Sequence, residues 1–155
     1  MNDVRNRATP PRPAGKKRKT RNPVQLLART AVDAILDKKG TEISVMDLRG
    51  ISGVADFFVV CTGGSDIQIK AIADAVQEHV RLKCEEKPWH VEGYEHLQWV
   101  LLDFVDLVVH VFSRDKRSYY DLERLWGDAP IEHVADDGSS ADVQVLRTNS
   151  ASRAS

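Results

Sequence analysis

The sequence predicts an α/β domain, a mixed sheet flanked by helices, and three observations carry that expectation. Residues 56–62, DFFVVCT, are a continuous apolar run of strand length, the pattern of a strand covered on both faces. GGSD follows and opens a long helical period, so strand, glycine turn and helix come in α/β order. Residues 99–112, WVLLDFVDLVVHVF, read as two further strands around a short connection.

The elements follow in chain order. Residues 1–22 hold eight Lys or Arg against one acid, about +7, and the remaining residues carry about −8. This arm has almost nothing apolar to bury, so it is expected to be disordered. Its run Lys16, Lys17, Arg18, Lys19 and Arg21 is a handle for polyanions or a solubilising tail. Pro23 can open a helix with Asn22 as its cap. Leu26, Leu27, Thr30, Ala31, Ala34 and Ile35 then keep helical spacing until Gly40 closes it. Residues 42–48 alternate like a strand, with Ile43 and Val45 on one face and Ser44, Met46 and Leu48 on the other.

After the strand at 56–62, Ile69, Ile72, Ala73, Val76, Val80 and Cys84 form one stripe of a long helix. Residues 88–93 read as a short strand ending at glycine, and a last helix is expected over about 114–126. Residues 136–155 are rich in Ser, Ala and Asp. The folded domain is therefore placed at 23–128, with 129–155 as a disordered tail.

Two cysteines far apart, Cys61 and Cys84, match no metal or redox spacing and suit a reducing cytoplasm. No apolar run is long enough to cross a bilayer, and residues 1–22 lack the apolar core of a signal peptide.

Asp103 and Asp106 interrupt the apolar stretch. With Phe104–Val105 as the connection, Asp103 pairs with Asp106, and turn chemistry is the favoured role for both. Phe-Val is poor in a tight hairpin turn, which needs positive φ, so a wider connection is the alternative. That would change the cross-strand pairing but not the alternation. Val100, Leu102, Leu107, Val109 and Val111 form a plain core face; Trp99, Leu101, Asp103, Asp106, Val108, His110 and Phe112 form a mixed one. Two carboxylates are too few for a magnesium site, even with Asp47 and Asp56 to recruit. His79, His90, His96 and His110 have no metal-ligand spacing. No metal site is expected.

The mixed face reads instead as a binding surface. Aromatics and Arg dominate interface energetics, which makes Trp99, His110, Phe112, Arg117, Tyr120 and Trp126 candidate partner-binding residues, with Asp103 added as an acid on the same mixed face. Tyr119, Leu122, Glu123 and Trp126 fall on one side of the last helix, at i, i+3, i+4 and i+7. The competing reading packs these side chains on the sheet as core.

The segments DLRGISGVADFFVVCTGGS, AIADAVQEHV, HVEGYEHLQWVLLDF and DLVVHVFSRDKRSYYDLERLW resemble the ribosomal silencing factor family, also called Iojap-like, over about residues 24–126. Three departures stand out. Val105 stands where the family usually has glycine, Ile67 where it tends to have Arg, and the basic arm lies outside the family core. The resemblance implies a nucleotidyltransferase-like fold without the catalytic acids. It also implies a cytoplasmic translational repressor that docks on the large ribosomal subunit at its conserved protein numbered fourteen. Docking there blocks joining of the small subunit when nutrients are scarce, with no bond made or broken. The acidic body suits a basic ribosomal protein, and the arm would supply any rRNA contact. A homodimer would cover an exposed aromatic face. The alternatives are an RNA-binding module driven by the arm and an active nucleotidyltransferase with TGGS as phosphate cradle.

Overall fold

Strand alternation sorts the interior into two cores on opposite faces of one sheet. The computed structural model describes residues 22–51 and 53–147; the arm residues Lys16, Lys17, Arg18, Lys19 and Arg21 lie outside them, as do residues 148–155. The elements are α1 (Val24–Asp37), β1 (Thr41–Asp47), β2 (Phe57–Thr62), α2 (Asp66–Cys84), β3 (His90–Glu92), β4 (Trp99–Asp103), β5 (Leu107–Phe112), α3 (Arg114–Tyr120), α4 (Leu122–Leu125) and β6 (Ile131–Val134), then two short 3-10 segments. The sheet order is β3-β4-β5-β2-β1-β6. β2 and β5 run parallel and the other neighbouring pairs antiparallel, so the sheet is mixed.

One face carries α1 and α2. Ile43, Val45, Phe57, Val59, Cys61, Val100, Leu102, Val109 and Val111 meet Leu27, Ala31, Ile35, Ile69, Ile72, Val76 and Val80 there. The other carries α3 and α4, where Met46, Leu48, Phe58, Val60, Leu101, Val108 and Phe112 meet Leu122 and Trp126. The expected faces of β1, β4 and β5 and the stripe of α2 all stand. Burial on this scale, at roughly 25 cal/mol per Å² of apolar surface, is the main term holding the layers together.

The helix ends differ in detail from expectation. Pro23 itself occupies the cap of α1, while the Asn22 side chain donates to the carbonyl of Cys84 at 3.1 Å and ties α1 to the end of α2. Lys39 takes the left-handed position after α1 at φ +64. Gly40 is required for a different reason: a Cβ there would sit 2.5 Å from Cγ2 of Ile35. Gly93, at φ +97, lets β3 turn toward β4, where any Cβ would collide with the carbonyl of Trp99.

Three expectations are corrected. Asp103 pairs with Val108, not Asp106, because the connection is the wider one, Phe104–Asp106. The last helix is two helices, broken at Asp121, which stands at φ +46. The chain after residue 128 is part of the fold as far as residue 147. β6 pairs with β1, Val143 and Leu146 are buried in the α1 core, and Asp33 and Glu132 accept backbone N–H bonds that hold this segment down. Its apolar residues are few, but each is placed against the core, and composition does not report placement.

Candidate protein-docking surface

The hairpin residues come first, because the acidic pair has a definite answer. Val105 stands at φ +78, a conformation that β-branched side chains avoid. The Asp103 carboxylate offsets part of that strain by accepting the Val105 N–H at 2.8 Å. The Asp103 carbonyl accepts the Trp89 N–H at 2.7 Å and anchors the edge strand. The Asp106 carbonyl accepts from both Asp56 and Phe57, at 2.8 and 3.1 Å, which joins the hairpin to β2. Asp103 is 4 % exposed, so its carboxylate is a turn group and cannot face a partner. Among the described residues no three His, Cys, Asp or Glu converge as metal ligands.

The aromatic residues of the mixed face form a graded column rather than one open surface. Phe112, His110 and Trp126 are buried, at 0, 2 and 4 % exposure. Phe58 lies between His110 and Trp126, with edge contacts at 4.5 and 6.0 Å between ring centroids. These three candidates are therefore core in this chain, because α3 and α4 cover the part of the sheet that alternation alone leaves open. Trp99 and Tyr120 are half-buried and 4.5 Å apart between centroids, and Trp99 stacks on Phe112 at 4.8 Å. Tyr119 stands outermost, 75 % exposed, edge-on to Tyr120 at 5.0 Å and with the Lys116 ammonium 5.5 Å from its ring. The break at Asp121 turns Tyr119 away from the Leu122–Trp126 side, which is why unbroken helical spacing misplaced it. An exposed tyrosine backed by rigid, half-buried aromatics is suited to protein contact: it offers area with little side-chain entropy to lose.

His110 is held neutral. Trp99 Nε1–H donates to its Nδ1 at 3.0 Å. Burial pushes the imidazole pKa down to about 3, with the Glu123 charge opposing and the Arg117 charge assisting.

Arg117, the remaining candidate, also turns inward, with its side chain 12 % exposed. Its guanidinium donates to the carbonyl of Glu42 at 2.6 Å, to Thr62 Oγ1 at 3.0 Å, to Ser44 Oγ at 3.2 Å, and to the Glu123 carboxylate. Ser44 Oγ donates to the same carboxylate at 2.9 Å. Burial alone would raise the Glu123 pKa; the Arg117 hydrogen bond and charge outweigh it and hold the carboxyl below its ordinary value.

The glycine turn after β2 is engaged internally. Gln68 Oε1 accepts the Gly64 N–H at 2.6 Å, Ser65 Oγ caps the Gln68 N–H at 3.1 Å, and the Gln68 amide donates to the carbonyls of Lys38 and Lys39. These bonds fasten the strand-to-helix connection to the end of α1, an ordinary structural use of such a turn.

Comparison with known proteins adds an independent finding. A family model described as ribosomal silencing factor during starvation matches residues 20–155. The ribosomal silencing factor of Halalkalibacterium halodurans is 46% identical over 106 residues, 68% of this chain and 90% of that protein. That of Bacillus subtilis is 44% identical over 108 residues, 68% of this chain and 88% of its own length. Among solved structures, a Chromobacterium violaceum protein superposes with a TM-score of 0.66 at 36% identity, covering 68% of this chain and 88% of that one. A Bacillus halodurans protein does so with a TM-score of 0.61 at 41% identity, covering 70% and 97%.

Proposed function

The chain belongs to the ribosomal silencing factor family, and on that premise we propose that it is a ribosome-associated translational silencer rather than an enzyme. It docks on the large subunit, at the conserved protein numbered fourteen, and excludes the small subunit sterically, chiefly under nutrient limitation. The observation that carries the docking mode is the aromatic ledge, with Tyr119 at 75 % exposure against half-buried Tyr120 and Trp99. The docking set is thus Trp99, Tyr119 and Tyr120. His110, Phe112 and Trp126 support it from beneath, and Asp103 and Arg117 lie inside the fold. The net negative charge outside the arm favours approach to a basic ribosomal protein.

A cytoplasmic location is part of this proposal; among the described residues no helix is long and apolar enough to cross a membrane. Sedimentation with purified subunits tests the reading: the chain should pellet with large and not small subunits, and should inhibit their joining. Equal sedimentation with both would sink it. A second copy is the competing occupant of the ledge, and would show as a dimer that large subunits dissociate.

The second reading, RNA binding driven by the arm, rests on its eight basic residues. Deleting residues 1–21 separates the two. A silencer that docks through the ledge keeps its large-subunit preference with a flatter salt dependence, whereas an arm-driven binder loses its partner.

A further inference from the structure

Two residues without glycine's freedom hold left-handed backbone around the ledge, and both are bonded to Arg117. Glu42, at φ +51, sits where β1 gains an extra residue against β2, between the pairs Thr41↔Thr62 and Ser44↔Val60. Its carbonyl accepts from the Arg117 guanidinium at 2.6 Å. Asp121, at φ +46, forms the break between α3 and α4, and its N–H donates to the Arg117 carbonyl at 3.0 Å. Glu123, two residues beyond the break, closes the bracket with its carboxylate. Strained backbone persists where the surroundings over-determine it, and such positions cluster at functional surfaces.

We propose that Arg117 is a positioning residue for docking: clasped between the β1 bulge and Glu123, it sets the α3–α4 elbow that turns Tyr119 outward and presses Tyr120 against Trp99. This deepens the docking reading and rests on it. The fork of the guanidinium matters, since it reaches Glu42, Thr62, Ser44 and Glu123 together, which a lysine ammonium cannot do.

The test uses the full chain with Arg117→Met, Arg117→Lys and Glu123→Gln. Three quantities are measured: amide hydrogen exchange, Tm, and affinity for purified large subunits well below the melting transition. Exchange should accelerate within residues 114–125 while β2 and β5 stay protected. Affinity should fall about tenfold, only partly recovered by Lys, and Arg117→Met combined with Tyr119→Ala should lose little more than the larger single change.

Losses that multiply would mean Arg117 touches the partner itself and would overturn the proposal. So would unchanged exchange at 114–125, or exchange rising across the whole sheet in step with a lower Tm, as for a residue that only stabilises. If the unaltered chain fails to bind large subunits, the docking reading falls instead, and the exchange pattern still decides whether Arg117 holds the elbow.

Discussion

Trp99 donates its indole N–H to Nδ1 of His110 at 3.0 Å, and this bond ties the half-buried part of the aromatic column to its buried middle. An indole nitrogen can only donate, so the imidazole carries its proton on Nε2 and remains neutral. Trp99→Phe keeps the ring stacking and removes the donor, leaving a buried acceptor unpaired. It should cost about 1–3 kcal/mol of stability, measured by chemical denaturation. A loss below a few tenths would mean that water replaces the indole.

The same histidine makes stability depend on pH. Its pKa is pushed down to about 3 in the folded protein from an ordinary value of 6.5. Between those values the unfolded chain binds a proton that the folded one refuses. The contribution is complete above pH 6.5 and is lost as pH falls toward 3, at about 1.4 kcal/mol per unit. His110→Gln retains an acceptor for Trp99 and cannot titrate. Its denaturation midpoint should vary less steeply than the parent's between pH 6.5 and 5, above the range where carboxylates such as Glu123 begin to protonate.

Tyr119 and Tyr120 should separate binding from folding. Tyr119→Ala should leave melting within about 0.5 kcal/mol of the parent and weaken large-subunit binding by roughly 2 kcal/mol, the scale of an interface hot spot. Tyr120→Ala, half-buried against Trp99, should lower both. Full binding by Tyr119→Ala would move the docking surface elsewhere.

At the hairpin, Asp103→Asn should be tolerated, because the amide oxygen can still accept the Val105 N–H. Asp103→Ala should cost about 1 kcal/mol or more. Val105→Gly should relieve about 1–2 kcal/mol of left-handed strain and return part of it as chain entropy, for a small net rise in Tm. A lower Tm would show that the Val105 side chain contributes more packing than its backbone costs.

Leu146→Ala tests the unexpected C-terminal segment. Leu146 is fully buried against the α1 core, so its truncation should cost about 2–5 kcal/mol in thermal or denaturant unfolding. A surface tail would show no change.

Periodicity alone determined a great deal of this protein. The faces of β1, β4 and β5, the double burial of β2 and the stripe of α2 depend only on the alternation of apolar residues along a segment, and local order carries that. The family-bearing segments are likewise strings of neighbouring residues.

Tertiary structure decided what depends on residues far apart in the chain. The hairpin register follows from the Asp103 side chain bonding Val105 and the Asp106 carbonyl bonding β2. Arg117, one turn before the break at Asp121, bonds the carbonyl of Glu42, 75 positions away. His110, Phe112 and Trp126 are core because α3 and α4 fold back over one face, and residues 129–147 are ordered because a few apolar side chains find places in a core already formed. An aromatic has the same composition and spacing whether it is covered or open. Only the neighbour that packs on it tells the two apart, and that neighbour lies elsewhere in the sequence.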